Sequence, residues 1–145
     1  MRYIVNQISS GEDELILNYK QINPEVDAVL AFMDKNQKRL KGRIDGEYIL
    51  FSPEEILYIE KVDEKTFAYT LDKVIQLDIS LSGAELILDE GSFFRCSKSM
   101  IVNVKKVERL KSLPSNRIDA TIMGGEHIII SRTYASEFRR FLKGE

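Results

Sequence analysis

The chain has 145 residues, 43% of them hydrophobic and 30% charged, with a formal net charge of −2; these proportions fit a soluble globular chain and exclude disordered and fibrous classes. Its one cysteine, Cys96, cannot close an intramolecular bridge. No apolar run nears the roughly 18 residues of a membrane span and the first residues lack a signal-peptide core, so no membrane insertion and a cytoplasmic location are expected.

Two runs of β-forming residues, 3–8 and 15–19, flank the turn-like stretch 9–13 and predict two strands. A helix follows, with Asn23 as its cap and Pro24 in its first turn. Val26, Val29, Leu30 and Met33, at i, i+3, i+4 and i+7, give it one apolar face. Lys35, Lys38, Arg39 and Lys41 gather at its carboxyl end and complement the helix dipole, and Gly42 and Gly46 break the pattern. Residues 1–46 therefore read as a strand-strand-helix extension ahead of a domain at 47–145.

In that domain, β runs at 48–51, 56–59, 66–70 and 73–77 lie too close together for βαβ crossovers and predict antiparallel hairpins. Ser80 or Ser82 then caps a short helix, Ser82 with Glu85 in capping-box spacing, and Gly91 ends it; Leu81, Ala84 and Leu88 face the core. Further runs at 100–104, 107–110, 117–123 and 127–130 are separated by the loop 112–116 and the turn at Gly124-Gly125. A closing helix starts at Ser131 or Thr133, with Tyr134, Phe138 and Phe141 on one side and Glu137, Arg139 and Arg140 pointing elsewhere. The fold class expected is mainly β with few helices, α+β.

The net charge conceals an asymmetry: residues 1–42 sum to 0, 43–92 to −8 and 93–145 to +6. Either the basic end meets a polyanion or the two charged segments neutralise each other across the fold. Catalytic and metal chemistry find little support. His127 is the only histidine and sits in a predicted strand, so a Ser or Cys nucleophile lacks a base and zinc lacks a ligand set. No phosphate-loop or dinucleotide pattern occurs, and the acidic residues of 43–92 show no spacing that marks a carboxylate pair. Cys96, near Phe93 and Phe94, reads as a buried thiol of low reactivity. Neither an enzyme nor a cofactor is expected.

Residues 93–103 hold the strongest signal, since Arg95, Ser97, Lys98 and Ser99 put two cations and two hydroxyls in one short loop, a mixture suited to phosphate and to guanine edges. The Phe-x-Arg of Phe93 to Arg95 is followed by Lys98-Ser99 and Ile101-Val102-Asn103. Upstream stands Ile56-Leu57-Tyr58-Ile59-Glu60; downstream, Gly125-x-x-Ile128 leads into Ile130-Ser131-Arg132-x-Tyr134. Over about 48–142, in this order, these motifs resemble the LytTR DNA-binding domain of bacterial transcription regulators.

The resemblance implies an antiparallel β fold whose loops, rather than a recognition helix, enter the grooves of double-stranded promoter DNA. It assigns DNA contact to Ser97, Lys98 and Ser99, to Arg132, and to Asn116 and Arg117 in the loop between two basic strands. Ser97 and Lys98 stand where the commoner pattern has His and Arg. A point charge in place of a guanidinium fork shifts weight from base readout toward backbone attraction. Arg95 and Asn103 also match motif positions; Arg95 either touches DNA or pairs with an acidic neighbour, and Asn103 bonds backbone. Residues 1–46 are too short for the receiver domain of many members, so the resemblance implies a stand-alone, response-regulator-like regulator without aspartyl phosphorylation. It acts as a homodimer on promoter repeats, with the extension as a candidate dimerisation element. From a different class, a protein-interaction module whose acidic 43–92 segment binds a basic partner stays open.

Overall fold

Asn23 begins the first helix as its side chain predicts: Oδ1 accepts from the Val26 amide at 2.9 Å, and α1 runs Pro24–Gln37 with Glu25 and Asp27 in its first turn. The computed structural model describes residues 1–37 and 39–144. Lys38 and the side chain of Lys35, two of the cations expected to complement the dipole, lie outside the described residues. The chain divides into two compact units, 1–38 and 39–145.

In the first unit the two expected strands do not form. Residues 3–8 and 15–19 belong to no ladder, and Tyr3, Ile4, Val5, Leu15 and Ile16 are exposed. β propensity describes how side chains fit a pleated, half-buried surface, and a lone hairpin without such a surface is marginal. The extension thus comprises one helix preceded by backbone that is neither helix nor strand.

The second unit starts one strand earlier than the expected boundary at 46. β1 (Leu40–Ile44) and β2 (Glu47–Phe51) form a hairpin around Asp45 and Gly46, both at positive φ, and β1 also pairs with β5 (Val74–Leu77). Gly42 therefore breaks no helix. A Cβ at Gly42 would stand 2.2 Å from Cγ2 of Ile75, so the residue serves the close approach of β1 to β5.

The remaining elements are β3 (Tyr58–Val62), β4 (Lys65–Tyr69), α2 (Leu81–Ile87), β6 (Phe93–Ser97), β7 (Met100–Asn103), β8 (Val107–Leu113), β9 (Arg117–Ile122), β10 (His127–Ile130) and α3 (Arg132–Leu142). All strand pairs are antiparallel, in a seven-stranded sheet of order β2-β1-β5-β4-β3-β7-β6 and a three-stranded sheet of order β10-β9-β8. Two details differ from expectation. β6 occupies part of the segment read as a loop, and α2 ends at Ile87 rather than Gly91, capped by Ser80, whose Oγ accepts from the Gly83 amide at 3.0 Å.

Alternation along the strands sorts the core into two layers. Ile59, Ile75 and Ile101 pack with Leu81 and Ala84 of α2 on one face of the large sheet. Tyr58 and Val102, one residue out of phase, join Ile118, Ile122, Ile128 and Ile130 of the small sheet and Ala135 and Phe138 of α3. Asn103, 2% exposed, donates from Nδ2 to the Ile56 carbonyl at 2.8 Å and accepts the Lys105 amide at 3.1 Å, the backbone role expected of it. Tyr58 stacks on Tyr69 at 4.4 Å and its hydroxyl donates to Glu126 at 3.0 Å; burial, then that carboxylate, pushes its pKa well up.

Cys96 is fully buried and its pKa is pushed up to about 12, chiefly by burial. In the folded protein at pH 8, a thiol-specific alkylating reagent is expected to label Cys96 only through unfolding, with a rate that climbs with added urea. Rapid labelling without denaturant would contradict this burial.

Candidate nucleic-acid interface

The β6–β7 turn consists of Lys98 and Ser99, both exposed, between Ser97 and Met100, which pair across it. A register shift between Arg95 and Ser97 places a bulge at Cys96, a device that re-aims side chains at a strand end. Ser97 Oγ accepts from the Ser99 amide at 3.2 Å, and the Ser99 carbonyl accepts from the Lys61 amide of β3 at 2.8 Å. The turn is thereby tied to the large sheet, with the Lys98 side chain exposed.

Arg132, distant in sequence, is brought beside this turn by backbone. The Ser131 amide donates to the Cys96 carbonyl at 2.9 Å, so the amino end of α3, with the exposed Arg132, abuts the end of β6. The β8–β9 turn is at the same end. Ile118 pairs with Ile130, the residue before Ser131, and Arg117 pairs with Leu113 at the turn itself. There Asn116 Oδ1 accepts from Arg139 Nη1 at 2.5 Å, and Arg117 Nε donates to the Pro114 carbonyl at 3.3 Å.

Three segments far apart in sequence therefore share one end of the two sheets and carry Lys98, Arg117, Arg132 and Arg139. Along α3, Arg132 and Arg139 are seven residues apart, about 10 Å at 1.5 Å per residue and on nearly the same face. That separation is comparable to the roughly 12 Å width of a DNA major groove. Arg139, read from the sequence as pointing elsewhere, belongs to this cluster. Its i+7 spacing from Arg132 is the signal that could have found it.

Arg95 differs from the other candidates. It is half-buried, and its guanidinium is committed inside the protein: Nε donates to the Ser97 carbonyl at 2.7 Å, Nη2 to the Lys98 carbonyl, and Nη1 to the Glu85 carboxylate. With Ser80 as the cap of α2, Ser82 stands inside the helix and forms no capping box with Glu85. The pairing with an acidic neighbour is one of the two roles open to Arg95 in the sequence.

Charge by segment does not translate into charge by surface. The Lys61–Ser99 bond carries the acidic β3–β4 turn, Asp63 and Glu64, to the cationic end, whereas Glu54 lies beyond the other end of β3, where the Leu57 carbonyl accepts from the Asn103 amide. His127, exposed on β10, holds Asp119 across the β9–β10 pair, Nδ1 to Oδ1 2.9 Å. Among the described residues no cluster of His, Cys, Asp and Glu could hold a metal ion, and no helix is long and apolar enough to cross a membrane.

Antiparallel sheets, with three α-helices among the described residues and basic turns collected at one end, place the molecule among β-scaffolded domains. The chain belongs to the LytTr DNA-binding domain family, whose model matches residues 46–143. A solved LytTr DNA-binding domain from Bacillus cereus superposes with a TM-score of 0.70 at 26% identity, covering 73% of this chain and 97% of that one. The sensory transduction protein LytT of Bacillus subtilis (strain 168) is 21% identical over 129 residues, covering 89% of this chain and 54% of its own. LytT of Enterococcus faecalis is 27% identical over 112 residues, covering 75% and 46%. The chain spans about half the length of these curated relatives.

Proposed function

We propose that this protein is a transcription regulator that binds double-stranded DNA in a sequence-specific manner through the β6–β7 turn, the β8–β9 turn and the start of α3, with the sheets as scaffold. The single observation that supports this reading is the Ser131–Cys96 backbone bond, which joins the start of α3, where Arg132 is exposed, to the end of β6 that leads into the Lys98 turn. Lys98, Arg117, Arg132 and Arg139 neutralise phosphate, and Asn116, Ser97 and Ser99 supply short-range hydrogen bonds. The amino end of α3, positive through its aligned peptide dipoles, adds to the attraction. The protein acts as a homodimer on repeated promoter sites, with residues 1–38 contributing to dimerisation; family membership and the LytT relatives support the regulatory role.

Titration of labelled promoter duplex at a series of salt concentrations tests the reading. The log–log slope is expected to be about −0.9 per phosphate contacted, close to −3 if three of the four cations reach the backbone. Glu54→Ala is expected to leave affinity unchanged or slightly raised, because Glu54 lies at the far end of β3. Absence of duplex binding at low salt would remove the proposal, and a large loss in Glu54→Ala would reverse the orientation of the molecule on DNA.

A further inference from the structure

We propose that Arg95 and Glu85 are positioning residues that hold the β6–β7 turn in the conformation that presents Lys98, and that Arg95 itself does not touch DNA. The inference rests on the duplex reading above and adds to it the means by which one of its contacts is preorganised.

A two-residue turn at a sheet edge leaves peptide carbonyls without ladder partners, and such a turn keeps one shape only if something bonds them. Arg95 does so for two consecutive residues, Nε to the Ser97 carbonyl at 2.7 Å and Nη2 to the Lys98 carbonyl. A planar guanidinium, with its donors in a fixed fork, reaches both oxygens at once; a lysine ammonium at the same position is a point donor on a flexible stem. The third arm, Nη1, is anchored by Glu85.

Glu85 is itself fixed from the core outward. It lies on α2, which is capped by Ser80 and seated through Leu81 and Ala84, 3% and 1% exposed. A chain of contacts thus runs from the core through α2, Glu85 and Arg95 to the peptide units on either side of Lys98. Side chains locked by such supporting contacts present a binding group at a lower ordering cost on association.

Removal of Glu85 separates this role from a simpler electrostatic one. If Glu85 were only a negative charge near DNA, and Arg95 a phosphate contact that it competes for, Glu85→Ala would bind duplex more tightly. As a positioning residue, its loss loosens the turn. Glu85→Ala is expected to weaken binding at fixed salt by roughly tenfold while the salt slope stays at the wild-type value. Glu85→Gln, which keeps an acceptor for Nη1 without the charge, recovers part of the loss, although both variants remove the same charge. Arg95→Lys behaves like Glu85→Ala.

In the free protein, ¹⁵N relaxation of the Lys98 and Ser99 amides gives a readout that needs no DNA. Their order parameters are expected to fall from about 0.85 toward 0.6 in Glu85→Ala. Equal or tighter binding by Glu85→Ala, or a salt slope in Arg95→Gln shallower by about 0.9, overturns the proposal, as do unchanged order parameters. Failure of the wild-type protein to bind duplex sinks the DNA reading instead, a result the relaxation measurement distinguishes.

Discussion

Lys98→Ala and Arg132→Ala are each expected to weaken binding to promoter duplex by on the order of 1–3 kcal/mol, roughly 5- to 150-fold, without lowering stability. Both side chains are exposed, so truncation removes no packing, and surface changes of this kind usually stay within about 0.5 kcal/mol of stability. Their two losses carry different signatures. Lys98 is a strongly hydrated point charge at a turn tip, suited to phosphate, and its removal should flatten the salt dependence by about 0.9 and weaken all sequences alike. Arg132 keeps a fork that can grip a guanine edge, so its loss should also reduce discrimination between promoter and unrelated duplex. Fluorescence anisotropy at several salt concentrations, paired with urea unfolding, reads both quantities. Wild-type affinity in both variants would show that this end of the molecule is not the DNA-binding surface.

Phe138→Ala is expected to have the opposite profile, a loss of about 3–5 kcal/mol in stability. Phe138 is fully buried, meets Phe94 at 5.2 Å between ring centroids, and seats α3 on the layer that also holds Ile118, Ile122 and Ile130. Phe141 contacts the same Phe94 ring at 5.3 Å, but from the protein's rim, and cannot fill the void left behind. Because Arg132 and Arg139 ride on α3, the destabilised protein should lose DNA affinity as well, and a ligand that binds only the folded form should restore part of the stability. Urea unfolding followed by circular dichroism measures the change; a shift below about 1 kcal/mol would show that the aromatic cluster does not hold the helix.

Much of the local structure is legible along the chain. Asn23-Pro24 marks the start of α1, the spacing of Tyr134, Phe138 and Phe141 marks α3, and closely spaced β runs mark hairpins, because caps and periodicity act over three or four residues of neighbouring chain. The motif between Arg95 and Asn103 likewise draws attention to the segment that holds the exposed β6–β7 turn. What failed in the sequence depends on partners far away. Residues 3–8 and 15–19 have β composition but no sheet to join, whereas 40–44 becomes a strand because β2 and β5 are there to receive it.

The same division applies to the site. Residue types mark Ser97 and Lys98 as candidates and the family resemblance adds Asn116, Arg117 and Arg132, and nothing in their spacing shows that they share a surface. Tertiary structure decides that, through the Ser131–Cys96 bond and the pairing of Ile118 with Ile130, which bring two turns and the start of α3 to one end. It also commits Arg95 to the Lys98 carbonyl and the Glu85 carboxylate, and brings Arg139 to Asn116, by hydrogen bonds that side-chain type does not specify. Composition and short-range geometry determined which elements this protein can build and which side chains could meet a polyanion. Strand register and hydrogen bonds between distant residues determined which of those side chains stand together, since such pairings are set by the packed core as a whole rather than by any single segment.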